Sequence, residues 1–95
     1  MERLIVDINR ITVPKSMKSA KPKLYKLMGM EAYYKKYNHY YGEIIVNEDL
    51  KILDGYVIYY TAKNIFKQNT VPVKVVTKKE RFVHFIRRIL RKVGK

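Results

Sequence analysis

The chain has 95 residues, with 21 Lys and Arg against 8 Asp and Glu, a net charge of +13 and no cysteine. That length suits one domain with a modest core, about 60% of the unfolded surface being buried on folding. The missing cysteines exclude disulfide and thiolate chemistry, and the apolar runs are too short for a membrane span or a signal-peptide core, so the sequence reads as a soluble cytoplasmic protein. Such a positive excess gathers polyanions without conferring sequence preference, which makes nucleic acid the first partner to consider.

Arg3-Leu-Ile-Val6, continued by Ile8 and Ile11, has the β-branched, partly alternating character of a strand that Pro14 ends. The segment from Pro14 to Pro22 reads as a loop, from its two prolines and small polar residues. Lys15, Ser16, Lys18, Lys21 and Lys23, in and beside it, are candidate phosphate contacts. From Lys23 to Tyr41 the spacing turns helical and sets Leu24, Leu27, Met30, Tyr34, Tyr37 and Tyr41 on one face, expected to be core. Beside them Lys26, Tyr33, Lys36 and Tyr40 interleave cations and rings on a face expected to meet water. Tyrosines placed so can stack on unpaired bases, or can be ordinary half-buried residues with solvated hydroxyls. Gly29 inside this pattern weakens the helix by about 1 kcal/mol relative to alanine.

Gly42 reads as the helix stop, after which Glu43 to Val46 and Lys51 to Leu53 form a hairpin across Asn47-Glu48-Asp49. Asp54 is placed to cap a helix running from Gly55 to about Lys67, whose buried side is Val57, Ile58, Ala62, Ile65 and Phe66. A glycine where a strand hands over to a helix lets an anion approach exposed N–H groups at the positive end of the dipole, about half an elementary charge, so Gly55 joins the candidate phosphate contacts. Val71 to Val76 is nearly continuous apolar sequence, suited to an interior strand. Between Lys78 and Gly94, Phe82, Phe85, Ile86, Ile89, Leu90 and Val93 make an apolar stripe, opposite Arg81, His84, Arg88, Arg91, Lys92 and Lys95. Burying its four largest leading residues is worth about 6–12 kcal/mol before entropy, so the sheet, a second copy, a protein partner or a lipid interface must cover it. Phe82, Phe85 and Ile89 are therefore candidate partner contacts, and Arg81, Arg88, Arg91 and Lys92 further candidate phosphate contacts.

The hairpin, Leu53-Asp54-Gly55 before a helix, Ala62-Lys63 and the closing Val71-Pro72-Val73 strand together resemble the ParB-like (ParB/sulfiredoxin) domain. The resemblance is strong over the middle third and looser from Leu4 to Tyr41. It implies an α+β fold, a small mixed sheet with two packed helices in residues 1–77, followed in 78–95 by a basic amphipathic C-terminal helix that is either part of the same unit or an interaction arm. In that family two arginines that bind phosphate stand one residue after the glycine; here Val57 and Ile58 occupy those places and Tyr60 a later basic one. The resemblance thus implies the fold, and not the CTP-hydrolysing, kinase or nuclease activities of its members.

No catalytic residue, metal ligand or cofactor is assigned. His39 and His84 lack zinc-site spacing, a turn accounts for Glu48 and Asp49 more simply than a nuclease carboxylate set, and neither a P-loop nor a Ser-His-Asp set is present. The sequence is read as a small basic accessory protein that binds nucleic acid, DNA before RNA, with a degenerate ParB-like site. The alternatives are a protein–protein module or homodimer using the C-terminal helix, a membrane-surface binder using the same helix, and a nucleotide-using enzyme with an altered site.

Overall fold

Among the described residues the strand Thr70–Val75 (β4) organises a four-stranded mixed sheet, with Glu2–Asp7 (β1) on one side of it and Ile44–Val46 (β2), then Ile52–Asp54 (β3), on the other. The computed structural model describes residues 2–80. Strand β1 runs antiparallel to β4, β2 runs parallel to it from Val73 onward, and β3 closes the far edge antiparallel to β2. Alternation along β4 sends Val71 and Val73 to the core and leaves Pro72 exposed. Pro72 lies one residue ahead of the β2 pairing, so its missing N–H removes no bond from that ladder.

Ile44, Val46, Ile52, Val71 and Val73 are buried, each worth about 1.5–3 kcal/mol of transfer free energy. Opposite them lie Ile8, Ile11 and Val13, which the chain delivers as it crosses from the β1 edge to the β3 edge. Asp7 starts that crossing by accepting the Asn9 N–H at 2.9 Å, which caps a 3-10 turn over Ile8–Arg10. Thr12 ends it by donating to Leu50 O and accepting from the Ile52 N–H, both at 2.9 Å. The hairpin turn follows the sequence expectation: Asn47 Oδ1 accepts from the amides of Asp49 and Lys51, each at 2.9 Å.

Lys15–Ser19 forms a short helix (α1) where a loop is expected. Pro14 fixes φ at −60° just ahead of the first turn, and its carbonyl accepts from the amides of Met17 and Lys18, so the proline starts a helix and does not merely end a strand. Leu24–Tyr37 (α2) is the long helix, and it stops at Asn38 in the left-handed region, φ 62°, before the expected glycine. Its packing is narrower than the periodicity implies. Leu27 alone is fully buried, Tyr34 packs on Phe66 at 4.9 Å, and Leu24 and Tyr41 are each 72% exposed. The Gln68 amide ties the helix down, accepting from the Tyr40 hydroxyl at 3.0 Å and donating to that of Tyr34 at 3.2 Å. Tyr40 is half-buried and packs against the core, not on the wet face expected for it, and that burial, with Tyr34 close by, pushes its phenol up to about 12.

The helix after β3 also departs from its expected course. Tyr56–Tyr60 (α3) is α-helical, and Thr61–Ile65 continues it as a π turn. Buried Thr61 donates its hydroxyl to Val57 O at 2.8 Å, and its own carbonyl accepts the Phe66 N–H, the five-residue spacing of a π-bulge. Ile58, Tyr59 and Ala62 face the core. At the other end, residues 78–80 are helical and Thr77 caps them by accepting the Glu80 N–H at 3.2 Å. The expected stripe from Phe82 to Val93 lies outside the described residues.

Two glycines make opposite demands. A Cβ on Gly55 would lie 2.5 Å from Glu43 O and 2.8 Å from Ile44 Cα, at a φ of 86°, whereas one on Gly29 would meet nothing within 4 Å. Gly55→Ala should therefore cost at least about 2 kcal/mol of stability, and Gly29→Ala should add about 1 kcal/mol, as read from urea unfolding midpoints.

Candidate functional site

At the junction of β3 and α3, Gly55 is the cap residue and Tyr59 makes the first helical bond to its carbonyl, at 3.1 Å. Asp54 does not cap the helix as expected. Its carboxylate accepts the N–H of Gly55 itself at 2.8 Å, because the left-handed glycine inserts one residue between the acid and the first turn. The space a side chain would take at Gly55 is filled by the backbone of β2, so the chain's own packing demands the glycine.

The three positions to which the resemblance assigns cations hold Val57, Ile58 and Tyr60 here. Val57 lies on an open groove of about 320 Å³ together with Lys26, Gly29, Met30, Tyr33 and Tyr41. Ile58 is core. Tyr60 faces a second hollow, about 690 Å³, between α2 and the π turn, where Lys21, Leu24, Leu27, Met28, Glu31 and Asn64 also line the wall. Val57, Ile58 and Tyr60 cannot pair with a phosphate as an arginine does.

A third hollow, about 240 Å³, opens at the end of the sheet beside Arg3, His39, Gly42 and Glu43. Its charges are already matched. Arg3 Nε binds Glu43 Oε1 at 2.9 Å and Lys74 Nζ approaches Glu43 Oε2 at 3.6 Å. The Arg3 hydrogen bond holds the Glu43 carboxyl below its ordinary value, assisted by the charges of Arg3 and Lys74 and opposed by desolvation. His39 Nδ1 lies 3.1 Å from the carbonyl of Tyr40, and among the described residues no cluster of His, Asp and Glu could hold a metal.

The basic segment is different. Lys15, Ser16 and Lys18 lie on α1, Lys21 and Lys23 on the link to α2, and all five are exposed. The Ser16 carbonyl accepts the Ser19 hydroxyl at 3.2 Å. Among the described residues, none of these four lysines forms an ion pair, whereas Lys35 reaches Glu31 at 3.9 Å and Lys74 reaches Glu43. Arg81, Arg88, Arg91 and Lys92, with Phe82, Phe85 and Ile89, lie outside the described residues.

A cluster of rings at the end of α2 escapes helical periodicity. Tyr33 meets Tyr37 at 4.5 Å between centroids, His39 at 5.5 Å and Tyr41 at 5.4 Å, the last two edge-on. The sequence places Tyr37 and Tyr41 with the core, but the left-handed Asn38 turns residues 39–41 back over Tyr33. An asparagine after a run of tyrosines is the one sequence signal of that reversal.

No protein-family model matches the chain, and no curated protein is similar to it in sequence. Solved structures do match its fold. A sulfiredoxin from Arabidopsis thaliana is similar at a TM-score of 0.66 and 17% identity, over 90% of this chain and 98% of that one. Two pNOB8-like ParB N-domain structures are similar at TM-scores of 0.64 and 0.62, with 16% and 15% identity, over 80% and 78% of this chain. This chain spans under a third of those two, 27% and 29% of their length. The fold is therefore ParB/sulfiredoxin-like, a mixed α+β sheet of the kind the sequence resemblance implies. No helix among the described residues is long and apolar enough to cross a membrane.

Because the folded Glu43 carboxyl titrates below its ordinary value of 4.5, its ion pairs stabilise the fold above about that pH and are lost as pH falls through the lower folded value. Glu43→Gln should therefore flatten the acid limb of the stability profile. Urea midpoints of the two proteins should differ at neutral pH and converge in acid; a pH-independent difference would contradict the assignment.

Proposed function

We propose that this chain is a small basic accessory protein that binds nucleic acid through exposed lysines on a ParB-like domain whose phosphate-binding arginine positions have become apolar. The observation that carries this reading is the segment from Ile8 to Met30. It holds Arg10, Lys15, Lys18, Lys21, Lys23 and Lys26 and no carboxylate, and the four lysines from 15 to 23 are exposed with no ion pair among the described residues. Phosphates are the natural counter-charge for such a surface, and contacts of this type give affinity with little base preference. The proposal assigns phosphate contacts to Arg81, Arg88, Arg91 and Lys92 as well, from the sequence. In this proposal residues 1–77 are the ParB-like domain and 78–95 a basic amphipathic helix that is either part of the same unit or an interaction arm. DNA is the first partner to test.

A protein partner is the second reading. Leu24, Tyr25 and Met28 are exposed together on α2, beside the larger hollow, and the sequence adds the stripe of Phe82, Phe85 and Ile89.

If about six phosphates of duplex DNA are neutralised, log K should fall with log salt at a slope of about −5. Replacing Lys15, Lys18 and Lys21 with alanine should lessen that slope by about 3 units, as measured by fluorescence anisotropy across a salt series. Unchanged binding by the triple variant, or binding indifferent to salt, would remove the proposal.

A further inference from the structure

The cluster around Tyr33 exposes more ring surface than packing requires. Tyr41 is 72% exposed and Tyr37 49%, although both meet the half-buried Tyr33. Tyr33 and Tyr41 also line the groove of about 320 Å³ that Gly29, Met30 and Val57 share and that Lys26 borders. A Cβ at Gly29, inside a helix, would meet nothing within 4 Å, so a longer side chain there would enter the groove. Lys36 Nζ stands 5.2 Å from the centre of the Tyr37 ring. We propose that this groove is a stacking site for an unpaired base of a single-stranded nucleic acid, with Tyr33 and Tyr41 meeting the base and Lys26 and Lys36 the flanking phosphates. The proposal rests on the nucleic-acid reading above and adds to it the class of strand.

Charge selects this occupant. Lys26 and Lys36 form no ion pair among the described residues, and a second copy of a chain of net charge +13 would bring like charge to the same place. The groove lies near the small end of the range of ligand sites, about 300–1,000 Å³, which suits one ring system better than a peptide helix. Rings flanked by cations are the arrangement by which single strands are held, because an unpaired base offers a free π-face. In a duplex that face is hidden in the stack.

The test uses the full chain, a fluorescently labelled oligothymidylate and an abasic deoxyribose-phosphate strand of equal length. The chain has nine tyrosines and no tryptophan, so the part of the quenching of its own emission that Tyr41→Ala removes reports stacking on this cluster. The expected result is tighter binding to the base-bearing strand, with tyrosine quenching. Tyr41→Ala and Gly29→Leu should each weaken that binding about tenfold and leave the abasic strand unaffected. Leucine improves on glycine in a helix, so Gly29→Leu should fold at least as stably while it fills the groove. Equal affinity for the two strands would overturn the proposal and leave the phosphate-binding reading standing, whereas no binding to either strand in dilute buffer would overturn both. A lower melting temperature for Gly29→Leu would assign the groove to another segment of the chain, and a dimer that this variant dissociates would assign it to a second copy. Either result would overturn the proposal.

Discussion

Two backbones meet where Gly55 lies against the Glu43–Ile44 peptide, at a separation that leaves no room for a Cβ. This contact fixes the start of α3 on the first residue of β2. Ile58 and Tyr59 then fall into the core, and Val57 and Tyr60 are left to line the two grooves beside α2. A glycine at this junction is thus required for packing whatever the junction binds. This explains how a ParB/sulfiredoxin-like fold stands with valine and isoleucine where the resembling family has arginines. The fold depends on the absent Cβ at Gly55, and that demand is independent of what stands at positions 57 and 58.

The charges divide in the same manner. Glu43 approaches Gly55 through its backbone while its carboxylate pairs with both Arg3 and Lys74, so the cations of the sheet end share one carboxylate. The cations of the segment from Arg10 to Lys26 have no acid among them in sequence. A positive field of this kind favours association with any polyanion and falls off with salt over a Debye length of about 10 Å at moderate ionic strength. In the proposed reading, affinity has moved from a defined pocket to an exposed surface, and any preference for strand type comes from the rings near Tyr33.

Much of the architecture was legible because it follows from local chemistry. Asn47 dictates the hairpin, the nearly continuous apolar run from Val71 to Val76 suits an interior strand, and Leu53-Asp54-Gly55 marks the junction. The errors arose where a residue had two local roles or where tertiary contacts decided. Pro14 reads as a strand end and also starts α1. Helical periodicity gave the direction of the α2 face but not how much of it would find a partner, and only Leu27 is fully buried. Asp54 satisfies the amide beside it and no longer reaches the helix. The hydroxyl of Thr61 loosens the next helical turn into a π-bulge, an effect no period reveals. The tyrosine cluster needed the left-handed Asn38, a single dihedral that brings residues from both sides of the turn together.

Amide chemical-shift mapping by NMR during titration with a short single strand tests the central claim most directly, since it reads the basic segment, the ring cluster and the glycine junction in one experiment. The account predicts the largest shifts at residues 15–26 and at Tyr33 to Tyr41, with Gly55 and Ile58 little changed. Shifts centred on Gly55, or none at any residue in dilute buffer, would contradict it.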